Sequence, residues 1–328
     1  MRVVHLQRRS FAGHHSIERV FEQVRAALPE RYHVEVVVAA RQSTGLLPRA
    51  ATVLDARRHQ GDVTHVTGDI NFAGLLLRRR STLLTVHDTE FLERAGRLKR
   101  LLYVWLWLRL PVRRAGLVTV PSDATRRDLL RWVRADPSKV RVVPNPVAGG
   151  FRPTPPPGGR PAVLLVGTRP NKNVARAAAA LEGLGCSAVV VGSLDAEQRQ
   201  AFSRAAVEVR ELGDVDDEAL RRAYEGCHLL LFPSTKEGFG IPVLEAQAAG
   251  RPVVTSTLPP LRDVAGGAAC LVDPFDVGSI ASGVRRVLSD AGYREDLVLR
   301  GLTNAARYSA GAVAARYGAL YDELASRA

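Results

Sequence analysis

No apolar run in this 328-residue chain approaches the ~20 residues that a membrane-spanning helix requires, so no segment is a candidate for one. No signal peptide is expected at its start. The N-terminus, Met1-Arg2-Val3-Val4-His5-Leu6, reads as a first strand, and cytoplasm is the expected location. Cysteine is scarce: Cys186, Cys227 and Cys270 are scattered, with no C-x-x-C pair. That argues against a disulfide framework and against a thiolate zinc or redox centre, and predicts three small buried hydrophobes. The adjacent His14 and His15 have no carboxylate or cysteine partner at zinc spacing. No bound metal is expected. No recognisable nucleic-acid module or repeated Arg/aromatic platform occurs either, so a specific nucleic-acid partner is not expected.

Positive charge, by contrast, is in excess. Lys and Arg total 46 against 33 Asp and Glu, a formal net charge of +13, and most of the surplus is arginine. Such a surface suits anionic membranes or phosphorylated substrates. A hydrophobic fraction of 46% is enough for full cores, and the length leaves room for two compact domains.

Short β-rich runs alternate with helical patterns along the whole chain. In the first half they are 2–6, 34–39, 63–67, 82–86, 117–120 and 140–143; in the second, 162–166, 188–191, 207–211, 229–232, 252–255 and 269–272. This alternation predicts parallel sheets covered by helices. Between the halves, Pro144-Asn145-Pro146 and the run Arg152-Pro153-Thr154-Pro155-Pro156-Pro157-Gly158-Gly159 read as an interdomain linker. The expected organisation is therefore α/β with two Rossmann-like, doubly wound domains, 1–150 and 160–308, followed by a helical tail at 309–328, in which Tyr317, Leu320 and Leu324 recur at helical spacing.

The most informative segment is Pro233-Ser234-Thr235-Lys236-Glu237-Gly238-Phe239-Gly240-Ile241-Pro242-Val243-Leu244-Glu245-Ala246. Its front half reads as a loop and its back half as the start of a helix, with Pro242 in the first turn. Gly238 and Gly240 admit a close ligand, so amides at the helix start, around Phe239 and Ile241, can face a diphosphate. Glu237 and Glu245, with seven residues between them, bracket that cradle and can reach ligand hydroxyls. A second segment, Val166-Gly167-Thr168-Arg169-Pro170-Asn171-Lys172-Asn173, follows the first strand of the second domain. It lacks the spacing of a Walker loop, but Arg169 can fork onto phosphate oxygens while Lys172 acts as a mobile point charge.

Together these segments resemble the E-x7-E and V-G-x-x-x-x-x-K motifs of the retaining glycosyltransferases of family 4, which have the GT-B fold. The resemblance spans nearly the whole chain and is most specific in its C-terminal half. It implies a nucleoside diphosphate sugar as donor, UDP- or GDP-linked, no cofactor and no divalent metal. It assigns Arg169 and Lys172 to the diphosphate, Glu237 to the donor sugar and Glu245 to the ribose hydroxyls. It gives Gly167 a place in the same phosphate loop and Val215 a backbone contact with the base. The last helix is expected to cross back onto the first domain, with the active site in the cleft between domains. Thr85-Val86-His87-Asp88 resembles the family's His-Asp segment, which puts His87 against the donor sugar, and Gly13 would admit the diphosphate, although its loop departs from the usual Gly-Gly arrangement. The acceptor, entering from the first domain, would be a lipid-linked sugar, a glycan or a small molecule.

Gly213-Asp214-Val215-Asp216-Asp217-Glu218 looks like a D-x-D metal motif, yet it stands just before a helical pattern and reads as a cap, with Asp216 as its centre. The segment Arg97 to Leu110 is apolar all round in its middle and basic at its ends. It is either a buried helix or a helix on an anionic membrane surface, peripheral on the inner face of the cell membrane. Two other functions fit part of the pattern: a GT-B epimerase or phosphorylase, and a non-catalytic basic binding protein.

Overall fold

A computed structural model describes residues 1–9, 16–39, 45–89, 92, 96–147 and 149–327. The twelve apolar runs form twelve strands, all pairing in parallel. They are β1 (Arg2–Gln7), β2 (His33–Val38), β3 (Val63–Val66), β4 (Thr82–Thr85), β5 (Leu117–Val120), β6 (Val140–Val142), β7 (Ala162–Val166), β8 (Ser187–Val191), β9 (Val209–Glu211), β10 (Leu229–Phe232), β11 (Val253–Ser256) and β12 (Cys270–Val272). Two six-stranded sheets result, ordered β2-β1-β3-β4-β5-β6 and β12-β11-β10-β7-β8-β9. Strands β3, β4, β5, β10 and β11 are buried along their whole length. This is why they read as continuous Val/Leu runs rather than as an alternation.

The chain divides into two compact units. One is residues 1–146 with the segment from Ala310 onward; the other is Val147–Ser309. The division falls at Pro146, ahead of the proline-rich run. That run is fastened to the second unit: the fully buried guanidinium of Arg251 donates to Thr154 Oγ1 and the Pro155 carbonyl, and also to the carbonyls of Tyr224 and Glu225. The three cysteines are buried, and burial pushes the Cys227 thiol up to about 12.

In the first unit the helix Ala310–Ala325 buries Val313, Tyr317, Tyr321 and Leu324 against the helix Ser16–Ala27 and strands β3 and β4. Polar groups lie beneath it. Tyr321 Oη sits 2.9 Å from both His5 Nε2 and His65 Nδ1. His65 Nε2 reaches Thr85 Oγ1 at 2.7 Å, and Thr85 meets Thr119 Oγ1 at 2.6 Å.

The Arg97 to Leu110 segment is not buried all round. Arg97–Tyr103 is α-helical, Val104–Arg109 is a wider π-helical turn, and Leu110–Arg114 resumes the α-helix. Val104, Leu108 and Val112 enter the core, and Trp107 packs on Phe72 with ring centroids 4.9 Å apart. Leu101, Leu102 and Trp105 stay 57%, 50% and 42% exposed. Apolar residues on every side give no face to read in the sequence; the sheet and the neighbouring Phe72 turn cover only one side.

Candidate active site

In the second sheet the chain runs outward one way through β7, β8 and β9 and the other way through β10, β11 and β12. The switch point lies between β7 and β10, whose carboxyl ends are where open α/β sheets form a ligand crevice. The two loops leaving those strands are the two segments singled out above. They are stitched together. Thr235 N donates to the Asn171 carbonyl at 2.9 Å. Asn171 Nδ2 donates to the Lys236 carbonyl at 2.9 Å and lies 3.3 Å from Glu237 Oε1. Asn173, in the left-handed region at φ 62°, donates from Nδ2 to the carbonyls of Pro233 and Pro274 at 3.1 and 2.6 Å.

On this frame Lys172 Nζ and Glu237 Oε1 meet at 2.6 Å, each side chain only slightly exposed. The ammonium also stands 4.6 Å from the centre of the Phe232 ring, a favourable position for a cation over a π face. Gly167 adopts φ +86°, and a Cβ there would lie 3.0 Å from Lys172 Cε. Only glycine leaves the lysine stem its path. Arg169 is exposed and opens the short 3₁₀ turn Pro170–Lys172.

Gly240 ends the second loop at φ 112°, as N-cap of the helix Ile241–Ala248 with Pro242 in its first turn. An added Cβ would stand 2.5 Å from Leu261 Cδ2. The positive end of that helix dipole therefore opens at the crevice, where an anion is favoured. Phe239 is buried with Leu244 and Val264, which leaves only its backbone to a ligand. Glu245, 7% exposed, accepts at Oε2 from the Tyr224 hydroxyl at 2.8 Å. Burial and the nearby carboxylate hold the Tyr224 phenol well above its ordinary value, so it remains a donor that orients Glu245.

The acidic cluster is a cap. Asp216 Oδ1 accepts from Ala219 N at 2.7 Å at the start of the helix Asp217–Glu225, and Val215 lies in the turn before it. Among the described residues no three His, Cys, Asp or Glu side chains form a group that could hold a metal ion.

His87 belongs to the first unit, just beyond the carboxyl end of β4. It is buried, with Nε2 2.9 Å from the Thr67 carbonyl. A carbonyl only accepts, so Nε2 carries a hydrogen. Gly13, His14 and His15 lie outside the described residues. The sequence reading missed Asn171, Asn173 and Tyr224. Asparagine's tolerance of the left-handed region was the available signal for Asn173; nothing local marks Tyr224, which reaches Glu245 from another helix.

The family described as "Glycosyltransferase Family 4" matches residues 15–148, and "Glycosyl transferases group 1" matches residues 160–290. The chain belongs to these family 4, group 1 glycosyltransferases with the two-domain GT-B fold. It is 41% identical over 101 residues to the O-antigen chain mannosyltransferase B of Escherichia coli, covering 31% of this chain and 26% of that one. It is 36% identical over 145 residues to the phosphatidyl-myo-inositol mannosyltransferase of Mycobacterium tuberculosis, covering 42% and 38%. The matches thus span about a quarter to two fifths of these curated relatives. Among solved structures, a sucrose-phosphate synthase from Thermosynechococcus elongatus superposes with a TM-score of 0.79 at 20% identity over 100% of both chains. Anabaena HepE in complex with UDP and glucose gives 0.78 at 18% identity over 98% and 99%. At such identities these two establish the fold.

Proposed function

We propose that this protein transfers a sugar from a nucleoside diphosphate sugar to an acceptor hydroxyl, with retention of configuration and without a divalent metal. The observation that carries the reading is the Lys172–Glu237 pair at 2.6 Å, set at the switch point beside the helix that Gly240 opens. A donor would part this pair: Lys172 and Arg169 turn to the diphosphate, Glu237 to the sugar hydroxyls, while Glu245, oriented by Tyr224, takes the ribose. The two cations and the helix dipole stabilise the charge that grows on the leaving group. They do the work otherwise given to a metal ion, and Asp216 is already engaged as a cap.

In the reaction, the bond from the anomeric carbon to the diphosphate oxygen breaks and its electron pair leaves with the diphosphate. The acceptor oxygen attacks from the same face, and its proton passes to the departing phosphate. His87 would face the donor sugar and limit its orientation. The mannosyltransferase relatives make a mannosyl donor the first to test, with UDP-glucose beside it because HepE is complexed with UDP and glucose.

The test is a thermal-shift screen over sugar nucleotides, since a ligand at about 100 times its dissociation constant stabilises by roughly 2.7 kcal/mol. Turnover of the best donor should survive EDTA, and product NMR should show the donor's anomeric configuration. Activity lost to EDTA and restored by magnesium or manganese, or an inverted anomer, overturns the mechanism. No shift with any donor overturns the function.

A lipid-linked acceptor is favoured by the exposed Leu101, Leu102 and Trp105 beside Arg109, whose guanidinium lies 5.1 Å from the Trp105 ring centre. This surface suits docking on an anionic bilayer. Wild-type protein should sediment with anionic liposomes at low salt and Leu101→Asp/Trp105→Asp should not; wild type left in the supernatant makes a soluble acceptor the better reading.

A further inference from the structure

At the strand-start edge of the first sheet lies a cavity of about 410 Å³. It is bounded by the chain entering β4, β5 and β6, on the edge opposite to His87 and to the carboxyl ends where transfer chemistry belongs. Arg79, Arg80, Lys139, Arg141 and Arg327 line it, with Asp136 as the single acidic lining residue. Asp136 is already committed: its carboxylate accepts from the Ser138 amide at 2.9 Å and hydroxyl at 2.7 Å. Glu323, nearby, is shared between Arg141 at 3.7 Å and Arg327. Lys139 Nζ donates to the Arg113 carbonyl at 3.2 Å. Arg79 and Arg80 have no ion pair among the described residues.

Five cations thus face one cavity with only two carboxylates, Asp136 and Glu323, near them, so positive charge is in excess there. Crowding of like charge costs free energy unless something supplies the counter-charge. Burial first, and then Arg79, bring the Lys139 ammonium down to about 8, with Asp136 pulling the other way. The volume falls within the range of small-molecule pockets, and arginine forks match phosphate oxygens.

We propose that this cavity is a second anion site, which takes a phosphate-bearing ligand with at least two negative charges and is separate from the donor site. The phosphate can belong to a free small molecule or to a lipid headgroup. Both make the same contacts with Arg79, Arg80 and Lys139.

The chain's four lysines, Lys99, Lys139, Lys172 and Lys236, allow the site to be read residue by residue. Acylation with a lysine-selective reagent at neutral pH, quantified by peptide mass spectrometry, follows Lys139 apart from the donor-site Lys172. Pyrophosphate at ten times its dissociation constant leaves about one site in eleven free, so Lys139 acylation should fall about tenfold. Arg79→Gln/Arg80→Gln, at an exposed pair, should abolish that protection while leaving any protection of Lys172 intact. Protection by phosphatidate vesicles but not by pyrophosphate supports the site and assigns it a lipid headgroup. Failure of both probes to protect Lys139, or protection that persists in the double variant, overturns it. Because protection of Lys172 is scored in the same sample, loss of the donor-site reading and loss of this one are distinguished.

Discussion

Acid should unfold the first unit through two histidines. His5 and His65 are fully buried beneath the C-terminal helix. Tyr321 has one hydroxyl hydrogen to share between His5 Nε2 and His65 Nδ1, and His5 Nδ1 has no partner among the described residues. Burial, then Arg25, lowers His5 to about 3; burial, then His5 and His87, takes His65 well below its ordinary value. His5 is therefore neutral in the folded chain at pH 5, whereas in the unfolded chain a histidine titrates at about 6.5; His65 is shifted in the same direction. The unfolded state binds more protons, so stability is fully present above about pH 6.5 and is lost as pH falls towards about 3. Between pH 7 and pH 5 His5 contributes a loss of about 2 kcal/mol, and His65 adds to it with the same sign. Urea unfolding followed by tryptophan emission is the assay, because Trp105, Trp107 and Trp132 all lie in the first unit. The double variant His5→Gln/His65→Gln should start less stable yet lose little between the two pH values. An unchanged wild-type midpoint, or a double variant that keeps the full acid loss, refutes the reasoning.

Lys172→Ala and Arg169→Ala should each lose most transferase activity, roughly 100-fold or more for a group that stabilises the leaving charge, with unfolding midpoints near wild type; full turnover by either removes it from the site. Tyr224→Phe removes the 2.8 Å hydrogen bond to Glu245 Oε2 and should destabilise the second unit by about 1 kcal/mol; calorimetry should also show weaker nucleotide binding, and unchanged affinity would deny Tyr224 its orienting part. Gly240→Ala meets both a positive φ and the Leu261 side chain, so donor binding should fall sharply while circular dichroism keeps its α/β shape; a variant with native affinity would show that the loop has slack.

Much of this molecule is written in local sequence. Each strand coincides with a β-rich run within two residues at either end, and the inner strands β3, β4, β5, β10 and β11 are the clearest, because a strand buried on both faces has to be largely apolar. Asp216 was legible as a cap, since a carboxylate three residues before a backbone N–H in the first turn needs no tertiary partner. Gly240 followed by Ile241-Pro242 marked the helix start for the same reason. Folding decided what lay far apart in the chain. The strand order alone sets β7 beside β10 and so joins Lys172 to Glu237 across 65 positions, just as a tyrosine outside either motif comes to hold Glu245. His5 and His65 look like ordinary strand residues until a helix about 250 to 320 residues later covers them and removes the water that would have let them ionise. The Arg97 to Leu110 segment shows the limit from the other side: its composition states that it is apolar, and only packing against Phe72 and the first sheet selects which apolar face is buried and which is left to the surface.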